Sequence, residues 1–562
     1  MSEPPEAKRS KTSSILEEVL ASNLLADDKA KEIQEQYASS QPYSHAQIKN
    51  LFHSKFLLSV KEEIKSQTKV NFKESDLFRV YQSIDLANLE PGSDLSKQLP
   101  NVMKLREVLY SQEWRSFIEK LCGLPPSTLV EKIDCACNCH APGCHLLCHD
   151  DVIGTRKVSY IIYLTEEDWK QDEGGSLELY GQQLDNPTSK KQSSPIPLAR
   201  AWPLFNSMAF FVVKPGESFH AVQEVTGERP RLSLQGWYHA AEPPKNMELA
   251  TLQQLKADND ASKAGTDAEK TFDESEAKEF SDADKEYLSK YLVPEYLKEE
   301  SMDEIHKKFE NDSSVQLRNF LQDKWVPKME SRTGKKRAND MNHYMEGVSS
   351  EWKLRGPAHK QRYLEFRPQP STTDCAVTGS MMHYVKMKVF ESPVFARYLK
   401  RVTGLEHPTG IKESKIRRFR PGLDYTVAHY GLLVKESVLD ATLCFVADGN
   451  EDDKAKWEYG DSGGFECYIE ADEENEEGGN QAADEYNEDD DTELLSVSAS
   501  NNTLSLVYRD PGTMRFVKYV GSSAPSSRFD IAMEYQVPEG EEDDDENADD
   551  DAEKQESEDV GF

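Results

Sequence analysis

Residues 146–164 read LLCHDDVIGTRKVSYIIYL. A histidine followed by two aspartates, His149, Asp150 and Asp151, leads into a run of β-branched and aromatic residues. On a strand, residues i and i+2 share a face while i+1 takes the other. If CHDDV is extended, His149 and Asp151 point the same way and Asp150 points opposite. That pair has the make-up of half a metal site; a solvated turn is the other reading of the same residues.

A third ligand is needed, and His220 supplies one in KPGESFHAVQEV, just after a Pro-Gly turn that can return the chain beside the first strand. His-x-Asp followed downstream by His is the pattern of two imidazoles and one carboxylate that leaves one face of Fe(II) open for a co-substrate and oxygen. Such a site keeps net positive charge and attracts an anion. In RLSLQGW, Arg231 and Ser233 share a strand face, so guanidinium and hydroxyl can grip one carboxylate. Tyr163 adds a phenolic donor from a neighbouring strand. A dicarboxylate whose keto-acid end chelates iron spans this arrangement, and 2-oxoglutarate fits it. Arg229 is the local competitor, but Pro230 separates it from the strand.

Around this stretch, from about 131 to 240, short strands alternate with Gly and Pro: KVSYIIYL, GGSLELY, MAFFVVKPG and RLSLQGWYH. Their even spacing predicts an antiparallel sandwich or jelly roll. Before it, LFHSKFLLSVKEEIKS and VMKLREVLYSQEWRSFIEKLCGL carry apolar residues at helical intervals. The layout expected is a polar tail with a short helix over 1–45, a catalytic domain over 46–240 and a charged linker over 241–300. A second β-domain follows over 301–538, with an acidic insert at 470–493, and then an acidic tail over 539–562 that lacks the apolar content to fold.

The second strand-rich region repeats the plan of the first. EGGSLELY precedes LFNSMAFFVVKPGESFHAV, and SGGFECYI precedes SNNTLSLVYRDPGTMRFVKYV. Each copy has Gly-Gly before a strand and an Asn before a Pro-Gly turn, Asn206 with Pro215 and Asn502 with Pro511. The counterpart of the His-x-Asp strand is YTVAHYGLL, which keeps His429 but has Gly431 in place of the aspartate. TMRFVKYV has no histidine, so the second copy reads as unable to hold iron.

The 562 residues carry a net charge of -35, which argues against direct contact with nucleic acid and suits either a basic protein partner or plain solubility. No apolar run reaches the roughly 20 residues of a membrane span, and the N-terminus has no secretory core. A reducing compartment is therefore expected, with the nine cysteines as thiols or ligands. Lys8, Arg9 and Lys11 read as a nuclear address or as incidental charge in a tail. CACNCHAPGCHLLCH gathers Cys135, Cys137, Cys139, Cys144 and Cys148 among histidines. Without a paired C-x2-C spacing it reads either as a zinc or copper site or as buried thiols acting as small hydrophobes.

With triad, arginine and duplication assembled, the sequence resembles the 2-oxoglutarate- and iron-dependent oxygenases that hydroxylate a proline of a small-subunit ribosomal protein at the decoding centre. The matching stretches are LLCHDD, GGSLELY, SFHAVQEV and RLSLQGWYH, then EWKLRGP, YGDSGGF and LSLVYRDPGTMRFVKYV, in order from about 46 to 538. CACNCHAPGC departs from an ordinary strand at that place. The resemblance implies an α+β, mainly β chain of two double-stranded β-helix (jelly-roll) domains with flanking helices, only the first keeping the iron site. It places iron on His149, Asp151 and His220 and 2-oxoglutarate on Arg231 and Tyr163. It further implies prolyl 3-hydroxylation affecting translation, L-ascorbate as an accessory, and residence in cytoplasm and nucleus. The rival readings are a non-catalytic interaction platform and a zinc-binding adaptor; an intact triad in one copy favours the enzyme.

Overall fold

The computed structural model describes residues 14–183, 192–256, 270–331, 341–369, 378–434, 436–459, 462–471 and 493–538. Lys8, Arg9 and Lys11, the tail at 539–562 and all but the ends of the acidic insert lie outside the described residues. No helix among those described is long and apolar enough to cross a membrane.

The first half is built on β1 (His45–Lys49), β2 (Val70–Glu74), β3 (Phe78–Asp85), β4 (Leu129–Ile133), β5 (Ala136–His140) and β6 (His145–His149). It continues with β7 (Arg156–Tyr163), β8 (Leu177–Gln183), β9 (Gln192–Ala201), β10 (Ser207–Val212), β11 (His220–Val222) and β12 (Arg231–Ala240). They pair in the order β1-β10-β7-β12-β5-β3-β6-β11-β8-β9, with β2 on β3 and β4 on β12. The path folds back on itself as a jelly roll. β10 is buried at every position and accordingly, after Ser207, reads as an unbroken apolar run. Along β12 the alternation is kept: Leu234 and Tyr238 face the helices, while Arg231 and Ser233 lie on the opposite face.

The helix Gln112–Cys122 buries Trp114, Phe117, Ile118 and Leu121, the spacing of one helical stripe. Ser111 caps its start and Gly123, at φ 66°, ends it. Trp114 Nε1 donates to the Tyr238 hydroxyl at 2.7 Å, which fixes this helix on β12. Each fully buried side chain of this kind contributes about 1.5–3 kcal/mol.

The segments expected as tail and linker contribute to the cores. Leu16, Val19, Leu20, Ala30, Ile33 and Tyr37 belong to the first core, and the Tyr37 ring stacks on Phe210 at 5.5 Å. Within the expected linker, Leu288, Tyr291, Leu292 and Leu297 belong to the second core. In both places a narrow apolar stripe at three- and four-residue spacing is hidden among charged residues, so mean composition conceals it.

The second half contains β13 (Lys270–Thr271), β14 (Ser314–Leu317), β15 (Trp352–Arg355), β16 (Gln361–Phe366), β17 (Gly410–Phe419) and β18 (Tyr425–Thr426). It closes with β19 (Val438–Phe445), β20 (Glu466–Glu470), β21 (Glu493–Val497), β22 (Thr503–Arg509), β23 (Thr513–Val517) and β24 (Arg528–Gln536). The order β14-β22-β19-β24-β17-β16 repeats β1-β10-β7-β12-β5-β3 strand for strand. Detail repeats too. Asn206, at φ 56°, and Asn502, at φ 48°, each grip the main chain of one residue through both side-chain atoms, Phe52 in the first case and Leu321 in the second.

The halves pack against each other behind the strands β6, β11 and β8. Leu147 clusters with Tyr425, Val427 and Tyr519, and Cys148, Tyr180, Phe219 and Ala221 cluster with Ala358.

Candidate active site

His149 ends β6 and His220 begins β11, directly opposite each other in the ladder. Their Nε2 atoms lie 3.1 and 3.2 Å from the two carboxylate oxygens of Asp151. Each Nδ1 donates to a main-chain carbonyl at 2.8 Å, Leu147 for His149 and Ser218 for His220. Those bonds fix the tautomer, so in the neutral rings both Nε2 lone pairs face the carboxylate. Lone pairs of three ligand groups within 4.8 Å of one another are an arrangement that a divalent cation satisfies. This is the one such group found among the described residues. Burial opposes ionisation of Asp151, yet His220 and His149, when they carry a proton on Nε2, hold its carboxyl well below the usual range.

The two aspartates divide the work, though not through strand parity. Asp151 lies past the end of β6 at φ 63°, a left-handed conformation, and β6 carries a bulge where Leu146 pairs with Val222 and His149 with His220. Alternation is broken on both sides of His149. Asp150 is buried at 2% exposure. Its Oδ2 accepts from the N–H groups of Gly216 and Thr251 at 2.9 and 3.0 Å. Its carbonyl accepts from the Ser218 hydroxyl. Asp150 thus ties the end of β6 to the turn that delivers His220, and is no solvated turn residue.

Arg231 is fully buried. Its Nε donates to the Gly175 carbonyl at 2.7 Å and its Nη1 to Ser233 Oγ at 3.2 Å. The Arg231 Nη2 and the Tyr163 hydroxyl meet no hydrogen-bond partner, and the guanidinium lies 5.0 Å from the Tyr163 ring centre. No carboxylate among the described residues pairs with this cation, and burial pulls its pKa down. A buried cation without a counter-charge is costly, and two orphaned donors side by side fit a carboxylate. Arg229, by contrast, is held at the surface by Asp168 and Glu173. The Gly-Gly pair is explained by contact: a Cβ on Gly174 would sit 2.2 Å from the Glu224 carbonyl, and one on Gly175 would sit 2.8 Å from Arg231 Cδ.

Sequence reasoning met His140 only as one histidine of the cysteine cluster weighed as a zinc or copper site, not as a neighbour of Arg231. It pairs with Arg231 across β5 and β12, is 1% exposed and has an unpartnered Nδ1; burial, then Arg231, holds it neutral. Only its position on the strand neighbouring Arg231 could have marked it. The five clustered cysteines are free thiols. Burial raises Cys135 and Cys137 to about 12, as for small hydrophobes, and among the described residues no three of these cysteines and histidines converge as metal ligands would.

Comparison with known proteins bears on this geometry. The 2OG-Fe(II) oxygenase superfamily matches residues 135–239. The prolyl 3,4-dihydroxylase OGFOD1 of Ostreococcus tauri is 38% identical over 509 residues, 88% of this chain and 95% of that protein. The chain belongs to the OGFOD1 family of 2-oxoglutarate- and iron-dependent oxygenases. Iron(II) and 2-oxoglutarate are accordingly its metal and co-substrate. The prolyl 3-hydroxylase OGFOD1 of Xenopus laevis is 28% identical, covering 86% of this chain and 84% of that one. Residues 283–544 match the family described as oxoglutarate and iron-dependent oxygenase degradation C-term. Among solved structures, a Pseudomonas putida prolyl-4-hydroxylase matches 38% of this chain and 98% of its own at 18% identity, with a TM-score of 0.27.

Proposed function

We propose that this protein hydroxylates a prolyl residue of a protein substrate, with iron(II) held by His149, Asp151 and His220 and 2-oxoglutarate held by Arg231, Tyr163 and Ser233. The observation that carries this reading is the Asp151 carboxylate set between two imidazole Nε2 atoms. When bound, iron and 2-oxoglutarate would activate O2, the oxidant: one oxygen atom would go into succinate as the co-substrate loses carbon dioxide, and the other into a C–H bond of the substrate. The chain's own residues bind, orient and exclude water. His149 and His220 are aimed by their carbonyl bonds, Asp151 joins them, and Arg231 draws the distal carboxylate of the co-substrate to the far end. Leu177, Leu179, Ala209 and Phe211 make the apolar wall beside Tyr163.

The substrate we propose is a small-subunit ribosomal protein at the decoding centre, modified at proline C3, with ascorbate maintaining the iron. Relatives named prolyl 3-hydroxylase and prolyl 3,4-dihydroxylase support the proline. The family resemblance supports the ribosomal target, and the charge of -35 suits a basic partner of that kind. Such a substrate is made in the cytoplasm and assembled in the nucleus, the two compartments we propose for the enzyme.

We further propose that 46–240, together with the helices before it, is the catalytic domain and that 301–538, with the helix preceding it, is a copy that has lost iron. The strand register supports this: Arg515 stands on β23 where His220 stands on β11. Its guanidinium is bound by Asp440 and Glu466. A fixed cation there opposes a metal cation.

The test is incubation with Fe(II), 2-oxoglutarate and a peptide of the decoding-centre protein, reading peptide mass and succinate. A peptide gaining one oxygen, or two, with succinate in step, is the expected result. Succinate without a modified peptide would discard the substrate and keep the oxygenase.

A further inference from the structure

Glu224 and Tyr519 occupy the same place in the two copies. Val225 bridges Gly174 and Val520 bridges Gly463. The residue before each valine turns its carbonyl to the second glycine of the pair, Glu224 to Gly175 N–H and Tyr519 to Gly464 N–H, both at 3.3 Å. These two equivalent residues touch. The Tyr519 hydroxyl donates to Glu224 Oε2 at 3.2 Å, and Ser522 adds its N–H at 2.9–3.0 Å and its hydroxyl at 2.8 Å. Leu147 and Val427 also correspond, each donating its N–H at 2.8 Å to a main-chain carbonyl, of Leu77 in one half and Lys360 in the other, and they share one apolar cluster with Tyr519. Equivalent residues of the two halves thus face each other where the halves meet.

This contact reaches both parts of the active site. Glu224 stands four residues after His220. Its carbonyl receives Gly175 N–H, and the Gly175 carbonyl receives Arg231 Nε. On the other side, the Tyr519 ring lies 4.1 Å from that of His145, at the start of the strand that ends in His149. One loop of the second half, 519–522, therefore holds the strand of one imidazole, the strand of the other, and the glycine turn that orients Arg231.

We infer that the second half acts as a positioning element for the active site, through Tyr519 and Ser522 gripping Glu224. Tyr519, Ser522 and Glu224 are positioning residues that touch neither metal nor co-substrate. The inference rests on the oxygenase reading above.

The experiment uses the full chain, anaerobically loaded with Fe(II) and titrated with 2-oxoglutarate, following the iron–2-oxoglutarate absorption band, with melting temperature in parallel. Outer-shell partners of metal sites are worth about 10–100-fold. Glu224→Ala should weaken 2-oxoglutarate binding about tenfold and shift or broaden the band. Glu224→Gln and Tyr519→Phe, which preserve shape, should each weaken it to a smaller, measurable degree. Asp76→Ala is the control: Asp76 accepts Ala428 N–H across the same interface at 3.1 Å but has no bond to the glycine turn. It should lower the melting temperature and leave affinity and band as in wild type. Variants that lose melting temperature while keeping wild-type affinity and band would overturn the inference, because the contact would then be structural only. An equal change in affinity for Asp76→Ala and Glu224→Gln would overturn it too. Failure of the wild type itself to develop the band would instead reject the oxygenase reading.

Discussion

His220 lies across the ladder from His149 with ring centres 4.2 Å apart, and the Asp151 carboxylate spans both Nε2 atoms. Removal of that carboxylate leaves two imidazoles and no anionic ligand. Asp151→Ala is expected to lose iron while staying folded. Asp150→Ala is expected to keep the ligand set and its turnover, and to lose stability, because three buried N–H groups, of Gly216, Thr251 and Val152, lose their acceptor at about 1–3 kcal/mol each. Iron content and chemical denaturation of the two variants separate these roles.

Among the described residues Arg231 faces no carboxylate, so its partner is expected to come from the ligand. 2-Oxoglutarate is expected to raise the melting temperature of wild type by mass action and to leave Arg231→Met unmoved. An equal thermal shift in both would remove Arg231 from co-substrate binding.

Glu466 is the centre of the charged network in the second half. Burial works against its ionisation, but Arg515, Arg528 and Arg417 bring its pKa down to about 2 from 4.5. A depressed carboxylate contributes stability that is fully present above the unfolded pKa and is lost as pH falls toward the folded one. Between pH 4.5 and about 2 the wild type should lose stability that Glu466→Gln never had. At neutral pH Glu466→Gln should be destabilised by about 3–5 kcal/mol, the usual cost of breaking a buried pair. Parallel acid-denaturation curves for the two proteins would contradict this account of the network.

The asparagine clamps predict a matched pair of effects. Asn206→Ala and Asn502→Ala each forfeit two bonds to the main chain and place alanine at positive φ, at a cost of about 1–2 kcal/mol for the backbone alone. Both should destabilise to a similar degree in urea, with glycine at either position recovering the backbone part.

Much of this was legible in the residues. The identities of His149, Asp151 and His220 signalled a metal-binding group, and the structure brings those three side chains together. The reason offered, strand alternation, does not operate there: the β6 bulge and the positive φ of Asp151 are set by tertiary pairing, which local pattern does not encode. The order of Gly-Gly, Asn and Pro-Gly marked the repeat because each has a local backbone cause. The stripe of Ala30, Ile33 and Tyr37 was hidden by the charged faces around it. The contact of Glu224 with Tyr519 had no local signature, since it joins residues 295 positions apart.

The most direct measurement is the iron bound per chain at saturation, anaerobically and with 2-oxoglutarate present, in wild type and Asp151→Ala. One iron per chain in wild type, and none in the variant, is what a single site on His149, Asp151 and His220 predicts. Undiminished iron in Asp151→Ala, or two irons per wild-type chain, would contradict it.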